Sequence, residues 1–151
     1  MKVLIRQAQE TDAPAICALL RTVAPLIFPD STTPEAASFL ESFEAPAVAA
    51  RLAAPNYVHL IAESSRDLRG YISLRDGQHL CHLFVQPEFH GQGIGRLLWQ
   101  HLLQVAGPGT LTVNSSLLAV PVYRSFGFVP SDEPQLHCCP PFVPMVYAGG
   151  S

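Results

Sequence analysis

Val85-Gln86-Pro87-Glu88-Phe89-His90-Gly91-Gln92-Gly93-Ile94-Gly95-Arg96 is the stretch on which the reading of this chain turns. It leaves an apolar run, His79 to Val85. It enters a segment in which Ile94, Leu97, Leu98, Leu102 and Val105 fall on one helical face. Glycines stand at alternate positions, Gly91, Gly93 and Gly95, where they let the backbone approach a ligand closely. A helix entrance leaves the N–H groups of its first turn unpaired, and the helix dipole adds partial positive charge there. A loop of this kind is an anion site, and a diphosphate fits it. Arg96 places a full positive charge beside it.

Two nucleotide motifs fit less well. A P-loop ends in Gly-Lys-Ser/Thr, which is absent here. A dinucleotide fingerprint would put glycine where Arg96 stands, and would follow the first strand of a parallel βαβ unit. The stretch here follows a block of three strands instead. Tyr57 to Glu63, Arg69 to Arg75 and His79 to Val85 are joined by a polar turn (Ser64 to Leu68) and by Asp76-Gly77, a hairpin signal. Connections this short predict an antiparallel meander.

Toward the amino end, Val3 to Arg6 reads as a first strand. Thr11-Asp12-Ala13-Pro14 starts a helix with Ile16, Leu19, Leu20 and Val23 at helical spacing, and Pro25 and Pro29 should stop it. Thr33-Pro34-Glu35 caps another helical stretch through Phe39, Leu40 and Phe43. Pro46 interrupts it, and Val48 to Ala54 forms a further short helix. This alanine-rich, proline-punctuated region, Leu26 to Asn56, is the least legible part of the chain.

Toward the carboxyl end, the Gly93–Ala106 helix closes at Gly107-Pro108-Gly109. Leu111 to Val113 is a strand. Asn114-Ser115-Ser116 caps a helix that runs to about Phe126 and breaks at Gly127. Phe128-Val129 begins the next strand, and Phe142 to Tyr147 is the last. The order predicts an α+β fold with a mixed, mostly antiparallel central sheet flanked by helices. No linker or repeat divides the sequence, so one domain over residues 1–151 is expected.

Composition narrows the function classes. Of 151 residues, 48% are apolar and 14% charged, which is a globular composition. A net charge of -3 argues against a nucleic-acid or anionic-lipid surface. No apolar run is long enough for a signal peptide or a membrane span, so a cytoplasmic location is expected. Cys17, Cys81, Cys138 and Cys139 match no zinc spacing, and no metal is expected.

The sequence resembles the GNAT superfamily of N-acetyltransferases in two segments. One is His90-Gly91-Gln92-Gly93-Ile94-Gly95, preceded by Leu83-Phe84-Val85-Gln86-Pro87. The family pattern there is Gln/Arg-x-x-Gly-x-Gly/Ala after a strand ending in Val-x-Pro. The other is Val113-Asn114 followed by Ala119 through Tyr123-Arg124-Ser125-Phe126-Gly127-Phe128. His90 departs from the family's Gln or Arg.

The resemblance implies an acyl-CoA N-acyltransferase fold with acetyl-CoA as cosubstrate and no metal. It implies direct transfer, in a ternary complex, to a primary amine of a small molecule or protein, by a monomer or homodimer. His90, Gly91, Gln92, Gly93, Ile94, Gly95 and Arg96 would hold the pyrophosphate. Leu83, Phe84 and Val85 would pair with the pantetheine arm, the fourth and fifth strands splaying apart. A main-chain N–H of Phe84 or Val85 would stabilise the oxyanion. Asn114 would contact pantetheine or cap a helix. Tyr123 matches the general acid. His79 is the candidate base, with Glu63 and His82 as weaker options, and strand parity puts His82 on the face opposite His79. The alternatives are a non-catalytic acyl-CoA-binding sensor and a nucleotide-binding oxidoreductase.

Overall fold

The structure is a computed structural model that describes residues 2–27, 32–107, 109–138 and 140–147. Seven strands form one sheet in the order β1-β2-β3-β4-β5-β7-β6. They are β1 (Leu4–Gln7), β2 (Tyr57–Ser64), β3 (Asp67–Arg75), β4 (His79–Val85), β5 (Leu111–Ser116), β6 (Val129–Pro130) and β7 (Phe142–Tyr147). Every neighbouring pair is antiparallel except β4 and β5, which run parallel. The helices are α1 (Ala13–Ile27), α2 (Pro34–Glu41), α3 (Ala45–Ala53), α4 (Ile94–Ala106) and α5 (Val120–Phe126). The mixed α+β architecture is the one the element order predicts.

Two apolar layers cover the sheet. On one side Leu98, Trp99 and Leu102 of α4 pack against Leu60, Ile72 and Leu74. On the other, Ile16, Leu19 and Leu20 of α1 pack against Ile61 and Tyr71 together with Phe43. Each fully buried aliphatic side chain of this size contributes about 1.5–3 kcal/mol. Gly70 lets α4 lie close to the sheet: a Cβ there would stand 3.0 Å from Leu98 Cδ1 and 3.2 Å from Ile94 Cγ2.

Several sequence expectations change in detail. The polar turn between β2 and β3 shrinks to Ser65 and Arg66, both left-handed (φ 51° and 67°), because the two strands pair out to Ser64–Asp67. Asp76 and Gly77 are also left-handed, as the central residues of a turn closed by Gln78 N donating to Arg75 O at 3.0 Å, and three residues join the two strands. Pro25 does not end α1 but sits in its last turn, where helix continues to Ile27. Pro29 lies outside the described residues. Thr33 caps α2 as expected, its Oγ1 accepting from Ala36 N at 3.1 Å. Pro46 falls in the first turn of α3, where it starts the helix and leaves no amide unpaired. β5 runs on to Ser116, so the cap downstream belongs to Ser116, whose Oγ accepts from Ala119 N at 3.3 Å, and not to Asn114.

Candidate active site

The α4 entrance is built as the glycine spacing predicts. Gly91 and Gly93 are left-handed, with φ of 82° and 80°. Among the described residues nothing stands within 4 Å of a Cβ placed on either, so the loop borders open space. The helix's first backbone bond runs from Leu97 N to Gly93 O at 3.0 Å. The N–H groups of Ile94, Gly95 and Arg96 are therefore left for a ligand. Arg96 itself turns toward α5, where it donates to Ser125 Oγ at 3.1 Å and lies 5.3 Å from the Phe126 ring centroid. His90 folds back, and its Nε2–H donates to Val85 O at 2.9 Å. Its side chain thus pins the loop to the end of β4.

The β4–β5 pairing consists of His79–Thr112 and Leu80–Val113, after which the strands part. Beyond that point β4 pairs only with β3. The bond from Gln86 N to Arg69 O at 2.8 Å fixes the phase of that ladder. By alternation, the N–H and C=O of Phe84 face Tyr71 on β3, while those of Leu83 and Val85 face the gap. Of the three strand residues expected to meet a pantetheine arm, two offer main chain to the gap and Phe84 does not. The main-chain N–H groups that this edge offers to the gap are accordingly those of Leu83 and Val85. Phe84 contributes its side chain, packed edge-on against Phe43.

A cavity of about 410 Å³ opens at the parting strands. From the β5–α5 side it is lined by Asn114, Ser116 and Tyr123, and from β4 by His79, Cys81 and His82. Tyr123 is buried, and burial alone pushes its phenol up, which keeps it protonated. His79 Nδ1 lies 2.8 Å from Thr112 Oγ1, and burial, then Arg75, pushes its imidazole below the usual value.

His82 faces the same cavity as His79, contrary to simple parity. Ser73 pairs with His82 and Leu74 with Leu80, so Cys81 is an extra residue opposite no partner, a bulge that resets the alternation. Burial first, then the charge of Arg51, pushes His82 down to about 3. It belongs to a buried polar chain. His59 Nε2–H donates to Arg51 O at 3.0 Å, so His59 Nδ1 accepts from the Tyr71 hydroxyl at 2.7 Å, and Ser73 Oγ meets His82 Nδ1 at 2.7 Å. Glu63 stands elsewhere, held by Arg6 at 2.9 Å, and does not line the cavity.

Arg51, Arg75 and Tyr57, which the sequence reading did not single out, also line the cavity, Arg75 directly across from His79 in the β3–β4 register. One signal was available. Arg51 is the lone charge in the apolar helix Ala-Pro-Ala-Val-Ala-Ala-Arg-Leu-Ala. Cys138 also lines the cavity, and Cys139 lies outside the described residues. Among the described residues no His/Cys/Asp/Glu cluster could hold a metal, and no helix is long and apolar enough to cross a membrane.

Comparison with known proteins agrees with this geometry. The sequence model of the acetyltransferase (GNAT) domain matches residues 27–148. The peptidyl-lysine N-acetyltransferase YjaB of Escherichia coli strain K12 is 38% identical over 69 residues, which is 45% of this chain and 47% of that protein. The chain thus aligns with about half the length of this curated relative. The crystal structure of PaiA N-acetyltransferase from Thermoplasma acidophilum in complex with coenzyme A superposes with a TM-score of 0.82 at 17% identity, over 98% of this chain and 99% of that one. The solution structure of apo YjaB from Escherichia coli gives 0.69 at 27% identity, over 99% and 100%. With its family model matched over most of its length and its sheet parted at β4 and β5, this chain belongs to the GNAT acetyltransferase family.

Proposed function

We propose that the protein transfers an acetyl group from acetyl-CoA to a primary amine by direct attack in a ternary complex. The observation that carries this reading is the parting of β4 from β5. It opens one cavity shared by the unpaired β4 edge, Tyr123 and two histidines.

The residues present fit the cosubstrate. The amides of Ile94, Gly95 and Arg96 supply donors for a diphosphate at a helix entrance. The main-chain groups of Leu83 and the N–H of Val85, whose carbonyl is taken by His90, supply an open strand edge for an extended amide-bearing arm. Acetyl-CoA supplies the thioester carbonyl and a thiolate leaving group. The chain's own residues do the rest. An N–H of Leu83 or Val85 is the donor available for developing negative charge on oxygen. Tyr123, kept protonated by burial, is the acid for the departing sulfur. His79, held neutral at neutral pH and half exposed to the cavity, takes the amine's proton directly or through water. His82, also neutral, stands behind it on the buried chain to His59.

The test has two parts. Calorimetry should detect acetyl-CoA binding to the folded protein, and thiol release should follow when amines are added. Binding without thiol release on any amine would leave an acyl-CoA-binding module and end the enzymatic reading. Absence of binding would end both.

A further inference from the structure

The cavity carries charge of one sign. Arg51 and Arg75 line it, and no Asp or Glu does among the described residues. Both arginines belong to the α1–α3 side of the sheet. Arg75 alternates with Tyr71 and Ser73 on β3, and Tyr71 packs into the α1 layer. The glycine cradle sits at the entrance to α4, on the other side. These guanidiniums are therefore not spare ligands for the diphosphate.

Neither arginine is fully used within the fold. Arg51 Nη2 donates to Ser42 O at 2.7 Å, while its buried Nε has no partner among the described residues. A buried donor left unpaired is costly, and Arg69 Nε, away from the cavity, is in the same state, so it is the place of Arg51 in the cavity lining that sets it apart. Arg75 has one carboxylate nearby, Asp76 at 3.7 Å, in a pair whose side chains are both about half exposed (46% and 62%). An exposed pair of that kind is weak. Both cations line the same cavity as Cys81.

We infer that the acceptor amine is a small molecule that also carries a carboxylate, and that Arg51 and Arg75 bind this carboxylate. The inference rests on the acetyl-transfer reading of the same cavity. Guanidinium forks match a planar carboxylate in pairs of hydrogen bonds. Two nearby cations also favour the neutral, nucleophilic form of the amine. Polyamines and other purely cationic acceptors meet repulsion in this cavity with nothing to offset it. A cavity of about 410 Å³ is the size of a small-ligand site.

The experiment compares free L-amino acids and γ-aminobutyrate with their uncharged partners, the amino-acid amides and butylamine. O-phosphoethanolamine serves as the phosphate control. Two readouts run in parallel: thiol release from acetyl-CoA, and calorimetric binding of N-acetyl amino acids against N-acetyl amino-acid amides to protein saturated with CoA. For at least one side chain, the carboxylate form should be favoured by about tenfold or more in kcat/KM and in Kd, equivalent to about 1.4 kcal/mol. Arg51→Gln should erase the preference by raising KM for the acid to that of the amide, and Arg51→Lys should keep part of it. Arg75→Gln, at a surface position where folding is not at risk, should weaken the preference on its own.

Equal use of acid and amide sinks the inference and leaves acetyl transfer standing. So does a preference that survives both neutral variants, or a preference for O-phosphoethanolamine over every carboxylate. Selective binding of N-acetyl acids without thiol release from any amine sustains the carboxylate site and sinks acetyl transfer. No binding and no turnover with any member overturns both.

Discussion

His79 and His82 stand three positions apart on β4 and line the same cavity, because Cys81 between them has no partner on β3. The bulge gives the site two imidazoles where alternation would give one. Their surroundings differ. His79 is tied to an exposed threonine hydroxyl, whereas His82 is half-buried beside Ser73 and pushed down to about 3 by burial and the charge of Arg51.

This difference predicts separate pH signatures. His79 is lowered from the usual imidazole value of about 6.5. If it accepts the amine's proton, kcat/KM should fall on an acid limb below that value, and His79→Gln should remove the limb. A limb that persists in His79→Gln excludes His79 as the base. For His82 the sign follows from linkage. The unfolded chain binds a proton below about 6.5 and the folded chain only near 3, so the unfolded state holds more protons between the two. Stability is full above the unfolded value and is lost as pH falls toward 3, with a slope of at most about 1.4 kcal/mol per pH unit from this residue. His59, lowered by burial, acts in the same direction. His82→Asn should flatten the acid slope of a urea-denaturation series, and an unchanged slope would place the acid sensitivity elsewhere.

Tyr123 offers a cleaner test of chemistry. Its ring packs edge-on against Phe126 and Phe128 at 6.1 and 5.6 Å, so Tyr123→Phe keeps the packing and removes only the hydroxyl. Turnover should fall about a hundredfold or more, as expected for loss of a general acid, with acetyl-CoA affinity unchanged. Equal turnover in the two proteins would leave Tyr123 a packing residue.

The cradle can be tested without confusing strain with charge. Gly93 is left-handed, so most substitutions there cost backbone energy whatever they carry. Asn tolerates that conformation better than other side chains. Gly93→Asn should therefore keep the fold and lose affinity for acetyl-CoA only partly. Gly93→Asp adds a carboxylate at the same backbone position and should abolish binding. Similar affinities for the two variants would move the diphosphate away from this loop.

The fold was legible where one local rule decided each element. Asp76-Gly77 named its own turn, and the Thr33-Pro34 cap and the glycine spacing before α4 each specified a backbone state. Features that depend on pairing across the sheet were not legible. The Cys81 bulge exists only in the register of β4 against β3, so parity misplaced His82. Leu97 and Val105 fit the helical stripe of α4 yet are 37% and 56% exposed. Trp99, outside that stripe, is buried because α5 and β7 close over it. Arg51 on α3 and Arg75 at the end of β3 are separated by the whole of β2, and only the folded chain brings them to one cavity.

Gly70 joins stability to the cradle, and no motif marks it. A methyl group at this position would meet Leu98 Cδ1 at 3.0 Å, Ile94 Cγ2 at 3.2 Å and Phe84 O at 3.2 Å. Two of these belong to buried side chains and one to backbone, so none gives way freely. Gly70→Ala should push the first turn of α4 off the sheet and cost about 1–3 kcal/mol, the usual penalty for overpacking. Ile94 opens that turn, and its amide is one of the donors left for the diphosphate, so affinity for acetyl-CoA should fall along with thermal stability. Urea denaturation and calorimetry on the same protein check the two losses together. A drop in stability with affinity intact would show that α4 tilts about its entrance and leaves the cradle in place, whereas no drop in either would mean that Leu98 repacks around the added methyl.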